Sequence, residues 1–379
     1  MDSTHSTSSG QASSPRVHRR DFMAGAVCGL PVLQTLLGFN SGISKVNAAE
    51  TVGDPLIEKV KMAMLCMQRA SWEQGVAMQG LMEISDLGST PSRDRGEKEL
   101  VVIMAGEAIL RSNKDGRVAM LGSDTNVTDP GSNGPGVLYA YKVTGDEKFK
   151  KAADALCKYY KTAAPKTEDG ILRHLTSVTQ VWSDSMFMAP PFLALMGDYD
   201  EAVKQVDGYR KYLWNNEKKL FSHMWDDRKK EFKRGDLWGG GNGWSAAALA
   251  QIIEVLPKEK KTERTKLIGY AKELLDGCIS FMRPDGLFHD VIDKPDTFID
   301  ANLSQMLAYS IYKGVKAGWL ENSYLKAADK MRAAAHGKID KYGVIHDVCG
   351  SPFFDRSGTS TEAQAFFLMM EGAYSKLAS

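Results

Sequence analysis

Four short phrases of this chain end in a histidine behind a turn: Gly170-Ile-Leu-Arg-His174, Leu220-Phe-Ser-His223, Gly286-Leu-Phe-His289 and Gly343-Val-Ile-His346. Imidazole changes its protonation near neutral pH and can hold or relay a proton. Histidines at equivalent points of a repeat therefore predict one shared polar basin. Beside these phrases stand Trp182-Ser-Asp184, Trp225 and Trp238-Gly-Gly-Gly-Asn242-Gly-Trp244. A lone Asp or Thr at such a place ordinarily caps a helix, but tryptophan does not. Flat aromatic rings at a polar basin stack on sugar faces or support the walls that do. Three consecutive glycines suit a close approach of backbone to a ligand. Carbohydrate recognition with a carboxyl group at hand is the chemistry these residue types predict.

The elements that must position them are helical. Each histidine phrase follows a polar, Lys-rich stretch and precedes a more apolar one, so helix, turn and helix recur. The spacing is longer and less regular than in flat solenoids, which favours hairpins closed into a ring. Apolar periodicity predicts helices at residues 55–67, 72–84, 97–112, 136–143, 147–160, 185–196, 199–213, 245–256, 261–282, 300–315, 323–336 and 361–374. Some, such as Lys150 to Leu156, are amphipathic; others, such as Gln364 to Met370, are apolar all round and must be buried on every side. Their alternation predicts an all-α fold, an (α/α)6 barrel whose inner helices start at the histidine-bearing face. Helix starts there offer free N–H groups and positive dipole ends to an anionic group.

Arg19-Arg20-Asp21-Phe22-Met23, an apolar stretch to Phe39 and the small-residue site Val46-Asn47-Ala48 form a twin-arginine signature. They predict an export leader at residues 1–48 and a single catalytic domain at 49–379, acting in the periplasm or outside the cell. Gly25, Gly29, Pro31 and Gln34 interrupt the apolar stretch, which is shorter than the roughly 20 residues of a membrane span. No membrane attachment is expected after cleavage. Charges nearly cancel, 48 basic against 47 acidic, which argues against a nucleic-acid surface. Cys66, Cys157, Cys278 and Cys349 are far apart and are expected to pack as small apolar residues. His289-Asp290 and His346-Asp347 lack ligand spacing and no phosphate-binding glycine loop occurs, so neither metal nor cofactor is expected. The sequence carries no signal of oligomeric state.

Trp182-Ser-Asp184-Ser-Met-Phe-Met, His223-Met-Trp-Asp226 and Trp238-Gly-Gly-Gly-Asn-Gly-Trp244, in this order, resemble glycoside hydrolase family 105, the unsaturated rhamnogalacturonyl hydrolases. The resemblance covers most of Pro55 to Leu377. It implies an (α/α)6 barrel and removal of a terminal 4,5-unsaturated uronic acid from lyase-generated oligosaccharides. By it, Asp184 is the general acid and base, and Asp129 matches the second aspartate, with Asp124 as the alternative. His174, His223, Trp238 and Trp244 match residues of the substrate pocket, which Trp182, Trp225, Asn242 and Arg173 are expected to complete. Burial beside Trp182 and Met188 is expected to raise the Asp184 pKa.

One departure concerns Gly240, where the family carries an arginine. Arg173 or Arg234 is expected to replace it, or else the vacant volume admits a different neighbouring sugar. Rival readings are a conventional inverting glycosidase or a sugar epimerase on the same toroid, which need a second carboxylate or a His pair. A non-catalytic carbohydrate-binding protein would keep the tryptophans and be indifferent to Asp184.

Overall fold

The computed structural model describes residues 55–68, 70–85, 96–122 and 124–378. The twin-arginine motif and the expected leader lie outside the described residues. The helices are α1 (Pro55–Met67), α2 (Ser71–Ser85), α3 (Glu97–Leu110), α4 (Gly134–Thr144), α5 (Glu147–Thr162), α6 (Ser185–Met188), α7 (Pro190–Leu195), α8 (Tyr199–Leu213), α9 (Gly239–Val255), α10 (Lys261–Ser280), α11 (Asn302–Lys316), α12 (Leu325–His336) and α13 (Thr361–Ala378). They form an (α/α)6 barrel. The inner ring runs through α2, α4 with a 3-10 turn at Asp129–Asn133, α6 and α7, α9, α11 and α13, and α13 packs back on α2. Outer helices α1, α3, α5, α8, α10 and α12 wrap it.

Side-chain distribution explains the two rings. On α5, Phe149, Ala153, Leu156 and Tyr160 are buried one turn apart while lysines cover the far side. Three inner helices have no such far side: Gly239 to Ala250, Asn302 to Tyr312 and Thr361 to Ala373 are buried without interruption. The helix expected at 185–196 is broken into α6 and α7, because Pro190 and Pro191 supply no N–H and their rings crowd the preceding turn. α9 begins at Gly239 rather than Ser245, so the triple glycine is the first turn of a helix. No helix among the described residues is long and apolar enough to cross a membrane.

Short strands join the helices at one end: β1 (Gln180–Trp182), β2 (Trp214–Asn215), β3 (Leu220–Phe221), β4 (Met224–Asp226), β5 (Glu231–Arg234), β6 (Phe288–His289), β7 (Ile299–Asp300), β8 (Val348–Gly350) and β9 (Phe353–Gly358). They pair as a β1–β4–β5 sheet and three hairpins, all antiparallel.

The sequence repeat is a repeat of this turn. Gly170, Gly286 and Gly343 take φ values of 79°, 86° and 85°, a region open to glycine. Their amides donate back to Thr167, Arg283 and Asp340 at 2.9, 3.0 and 3.0 Å. Buried amide side chains pin the turns to helices, with Gln205 accepting from Leu172 N at 2.8 Å, Asn242 from Phe221 N at 2.7 Å and Gln364 from Ile345 N at 2.8 Å. A further copy at Asn113–Arg117, with Gly116 at φ 99°, ends without a histidine and was invisible to a pattern keyed on that residue.

Candidate active site

A cavity of about 380 Å³ opens among the starts of the inner helices. The β1–β4–β5 sheet forms one wall. Trp182 lies opposite Met224, and Met224 opposite Arg234, so these three side chains form a cross-strand row that faces the cavity. Trp225, one residue along β4, turns to the other face, packing on Tyr212 and Phe232 with ring centroids at 6.2 and 5.2 Å. Its expected place in the pocket is corrected on that ground.

Two carboxyls meet at the floor. Asp129 opens the 3-10 turn and is 3% exposed, and Asp184 precedes α6. Asp129 Oδ1 lies 3.7 Å from His174 Nε2, and Asp184 Oδ2 lies 3.3 Å from His223 Nε2. Neither oxygen has a hydrogen-bond partner of good geometry. Buried polar atoms normally have one, so both are available to a molecule in the cavity. The His174 ring stacks on Trp182 at 4.0 Å and 14°, its Nδ1 held by Thr128 Oγ1 at 3.1 Å and Ser185 Oγ at 2.9 Å. Arg234 Nη1 lies 3.2 Å from His223 Nδ1, and its Nε donates to Asp236 Oδ2 at 3.0 Å. A guanidinium can only donate, so Nδ1 accepts and the imidazole proton sits on Nε2, facing Asp184.

Electrostatics separates the carboxyls. Burial pushes Asp129 well above the carboxylate range, and the neighbouring Asp184 charge adds to it. Burial acts the same way on Asp184, but His223, with His174, outweighs it and holds Asp184 below its ordinary value. Burial thus raises Asp184 as expected but does not decide its pKa, and the expected net rise is corrected. The two carboxyls are pushed apart, Asp129 toward the protonated form and Asp184 toward the carboxylate. Burial lowers His174 to about 4, so this ring is uncharged at neutral pH.

Trp238 and Trp244 also line the cavity, and the Trp238 indole donates to Asp290 Oδ1 at 2.9 Å while packing 4.6 Å from the His223 ring. Other expected residues lie elsewhere. Asn242 is fully buried, its carboxamide donating to Phe221 O and Trp238 O at 3.0 and 2.9 Å, so it fastens β3 to α9 and does not face the cavity. Arg173 points away, toward Asp227 at 3.8 Å. Asp124 accepts from Asn126 N at 2.8 Å outside the cavity. His289 is taken up by Thr297 O at 3.0 Å and His346 by Asp340 at 3.0 Å, so only two of the four turn histidines reach the basin. Of the cysteines, Cys66 is exposed rather than packed.

The glycines answer to packing rather than to a ligand. A Cβ on Gly240 would meet Trp238 Cζ2 at 2.4 Å, one on Gly241 Ser183 Oγ at 2.1 Å, and one on Gly243 Met306 Sδ at 2.2 Å. No vacancy therefore exists at Gly240, and the specificity argument built on one is corrected. Trp72 and Phe354 line the cavity without having been expected there, and Glu362 joins them from the helix start Gly358-Thr-Ser-Thr-Glu362. The sequence signal for Trp72 was its place in Ser71-Trp72-Glu73, at the start of an inner helix like Trp182-Ser-Asp184. Glu362 sits in the first turn of α13 and is 3% exposed, and burial pushes it up to about 8.

A family model described as Glycosyl Hydrolase Family 88 matches residues 49–367. Among curated proteins the chain is similar to an unsaturated rhamnogalacturonyl hydrolase of Bacillus subtilis, 27% identical over 232 residues, covering 57% of this chain and 65% of that protein. It is likewise 27% identical over 192 residues to an unsaturated 3S-rhamnoglycuronyl hydrolase of Formosa agariphila, covering 45% and 51% of the two chains. The matches thus span less than two thirds of either relative. Among solved structures, a possible member of the GH105 family from Salmonella enterica superposes with a TM-score of 0.75 at 18% identity, over 86% of this chain and 93% of that one. That likeness shares the barrel.

Proposed function

The chain belongs to glycosyl hydrolase family 88, and from that premise we propose that it removes a terminal 4,5-unsaturated uronic acid from short oligosaccharides by hydrating the double bond. Relatives named for unsaturated rhamnogalacturonyl and rhamnoglycuronyl substrates support the substrate class. The observation that carries the reading is the floor pair: two carboxyls lining one cavity, each with a buried, partnerless oxygen, the Asp129 pKa raised by burial and the Asp184 pKa lowered by histidine. Among the described side chains lining the cavity, Arg234 is the one arginine or lysine, so it is assigned to the uronate carboxylate.

The 4,5 double bond is an enol ether. Asp129, protonated at rest, gives its proton to C4, and the resulting cation at C5 is shared with the ring oxygen. Asp184 takes a proton from water as that water adds at C5. The hemiketal opens to a ketone, its hydroxyl proton passing to the former ring oxygen, and the hemiacetal left at C1 expels the second sugar as an alcohol. Transfer of the proton from Asp184 to Asp129 restores the resting pair. His223 keeps Asp184 ionised until it is needed, and the Trp182, Trp238 and Trp244 wall limits water around the cation. This assigns the first proton to Asp129 and the base role to Asp184, a division the sequence did not suggest.

We further propose that residues 49–379 act as one domain after export by the leader at 1–48. Two opposed carboxyls would also serve an ordinary inverting glycosidase, so the test must separate the two. Mature protein is incubated with a panel of lyase-generated oligosaccharides and with saturated uronides of the same linkage. Loss of the absorbance of the conjugated double bond, with no turnover of the saturated compounds, supports hydration; comparable turnover of both overturns it.

A further inference from the structure

The cavity has a second wall that the hydration chemistry leaves unused. β8 and β9 form a hairpin rooted against the start of α13: a Cβ on Gly350 would lie 2.2 Å from Ser360 Cβ and 3.5 Å from Glu362 Oε1. Cys349 fastens the hairpin twice, its amide donating to Asp300 Oδ1 at 3.2 Å and its thiol to Phe354 O at 3.4 Å. Every residue of β9 is exposed, and Phe354, 41% exposed, is the one exposed side chain among the described residues lining the cavity. Across the hairpin root, the Trp72 indole lines the same cavity and donates to Glu362 Oε2 at 3.2 Å.

The placement matters because of what the floor does. A terminal uronate that reaches Asp129 and Asp184 is enclosed by the inner ring, so the rest of the oligosaccharide leaves by the mouth. Phe354 stands at that mouth. An exposed aromatic ring on a fastened hairpin at the mouth of the cavity offers a flat stacking surface to the C–H face of a pyranose. Deeper on the same cavity, at the hairpin root, Glu362 offers a sugar hydroxyl a buried polar partner.

Resting on the hydrolase reading above, we propose that Phe354, with Trp72 and Glu362 behind it, forms the subsite for the sugar attached to the unsaturated uronate, and that Phe354 sets the affinity for that sugar by stacking on it. Phe354 is a specificity-determining residue, remote from the reacting carbons. The sheet wall of Arg234 and Trp182 reads the uronate, and the hairpin wall reads its neighbour.

The test compares two substrates on wild-type protein and on Phe354→Ala and Phe354→Tyr: a lyase-generated unsaturated disaccharide, and the methyl glycoside of the same unsaturated uronate. Phe354→Ala should raise KM for the disaccharide roughly three- to tenfold, with kcat little changed, and should alter kcat/KM for the methyl glycoside by less than about twofold. Phe354→Tyr, which keeps the ring, should restore the disaccharide KM. Equal losses on both substrates, or no loss on either, overturn the subsite. If wild-type protein consumes neither substrate, the hydrolase reading falls first and the subsite with it.

Discussion

Replacing Glu362 with glutamine should stabilise the protein increasingly as pH rises above the acidic range. Glu362 is buried, and its ordinary value of 4.5 is pushed up to about 8, chiefly by that burial and further by Glu73, Asp300 and Asp184, against the lowering effect of the Trp72 N–H. The folded state therefore keeps a proton that the unfolded state releases. A folded pKa above the unfolded one contributes stability that is complete below about 4.5 and is lost as pH rises through about 8. At ~1.4 kcal/mol for each pH unit between those values, the loss is at most ~5 kcal/mol. Glutamine has no proton to lose and can still accept from Trp72. Burial also pushes Asp129 up and Asp300 to about 7, which tilts the stability of both proteins; the Glu362 charge adds to the Asp129 shift, so its removal relieves part of that tilt and acts in the same direction. Urea unfolding followed by tryptophan fluorescence at about pH 5, 7 and 8.5 should show the two proteins nearly equal at the lowest pH and the variant several kcal/mol ahead at the highest. A difference that does not grow with pH would refute the argument that Glu362 is held protonated by burial.

Asp184→Asn should lower turnover by about a hundredfold or more with the unfolding midpoint unchanged, and retention of more than roughly a tenth of wild-type activity would sink its assignment as the base. Gly240→Ala should displace the Trp238 indole from Asp290, because the new Cβ lies 2.4 Å from Trp238 Cζ2. Overpacking of this kind costs ~1–3 kcal/mol, and a variant as stable and active as wild type in thermal melts and rate assays would contradict it. Arg234→Lys should raise KM for unsaturated uronides about tenfold or more, since lysine cannot supply a forked contact to carboxylate and to His223 together. Unchanged KM in steady-state assays would move the carboxylate elsewhere.

The barrel was legible because its signal is local and repeated. α1 at Pro55–Met67 and α8 at Tyr199–Leu213 coincide with the periodic stretches, and the helices that are apolar all round are the inner ones. The break between α6 and α7 was overlooked because an unbroken apolar run masked Pro190 and Pro191. At the site, Asp184 and Trp182 could be singled out because they share one short string. Trp225 was misplaced because a three-residue strand is too short to reveal its alternation. The glycines of α9 could not be read from sequence at all, since what they touch, Ser183 and Met306, comes from other hairpins. Glu362 and Trp72 meet only through ring closure, 290 residues apart, so their separate places at helix starts could not show that they share one wall of the cavity.

Hydration predicts where the oxygen of water ends up. Reaction of the unsaturated disaccharide in heavy-oxygen water, analysed by mass spectrometric fragmentation before the product ketone exchanges its oxygen, should place the label at C5 of the released uronate, with the glycosidic oxygen kept by the departing sugar. Label at C1 of the uronate would contradict the account and mark the protein as a conventional hydrolase.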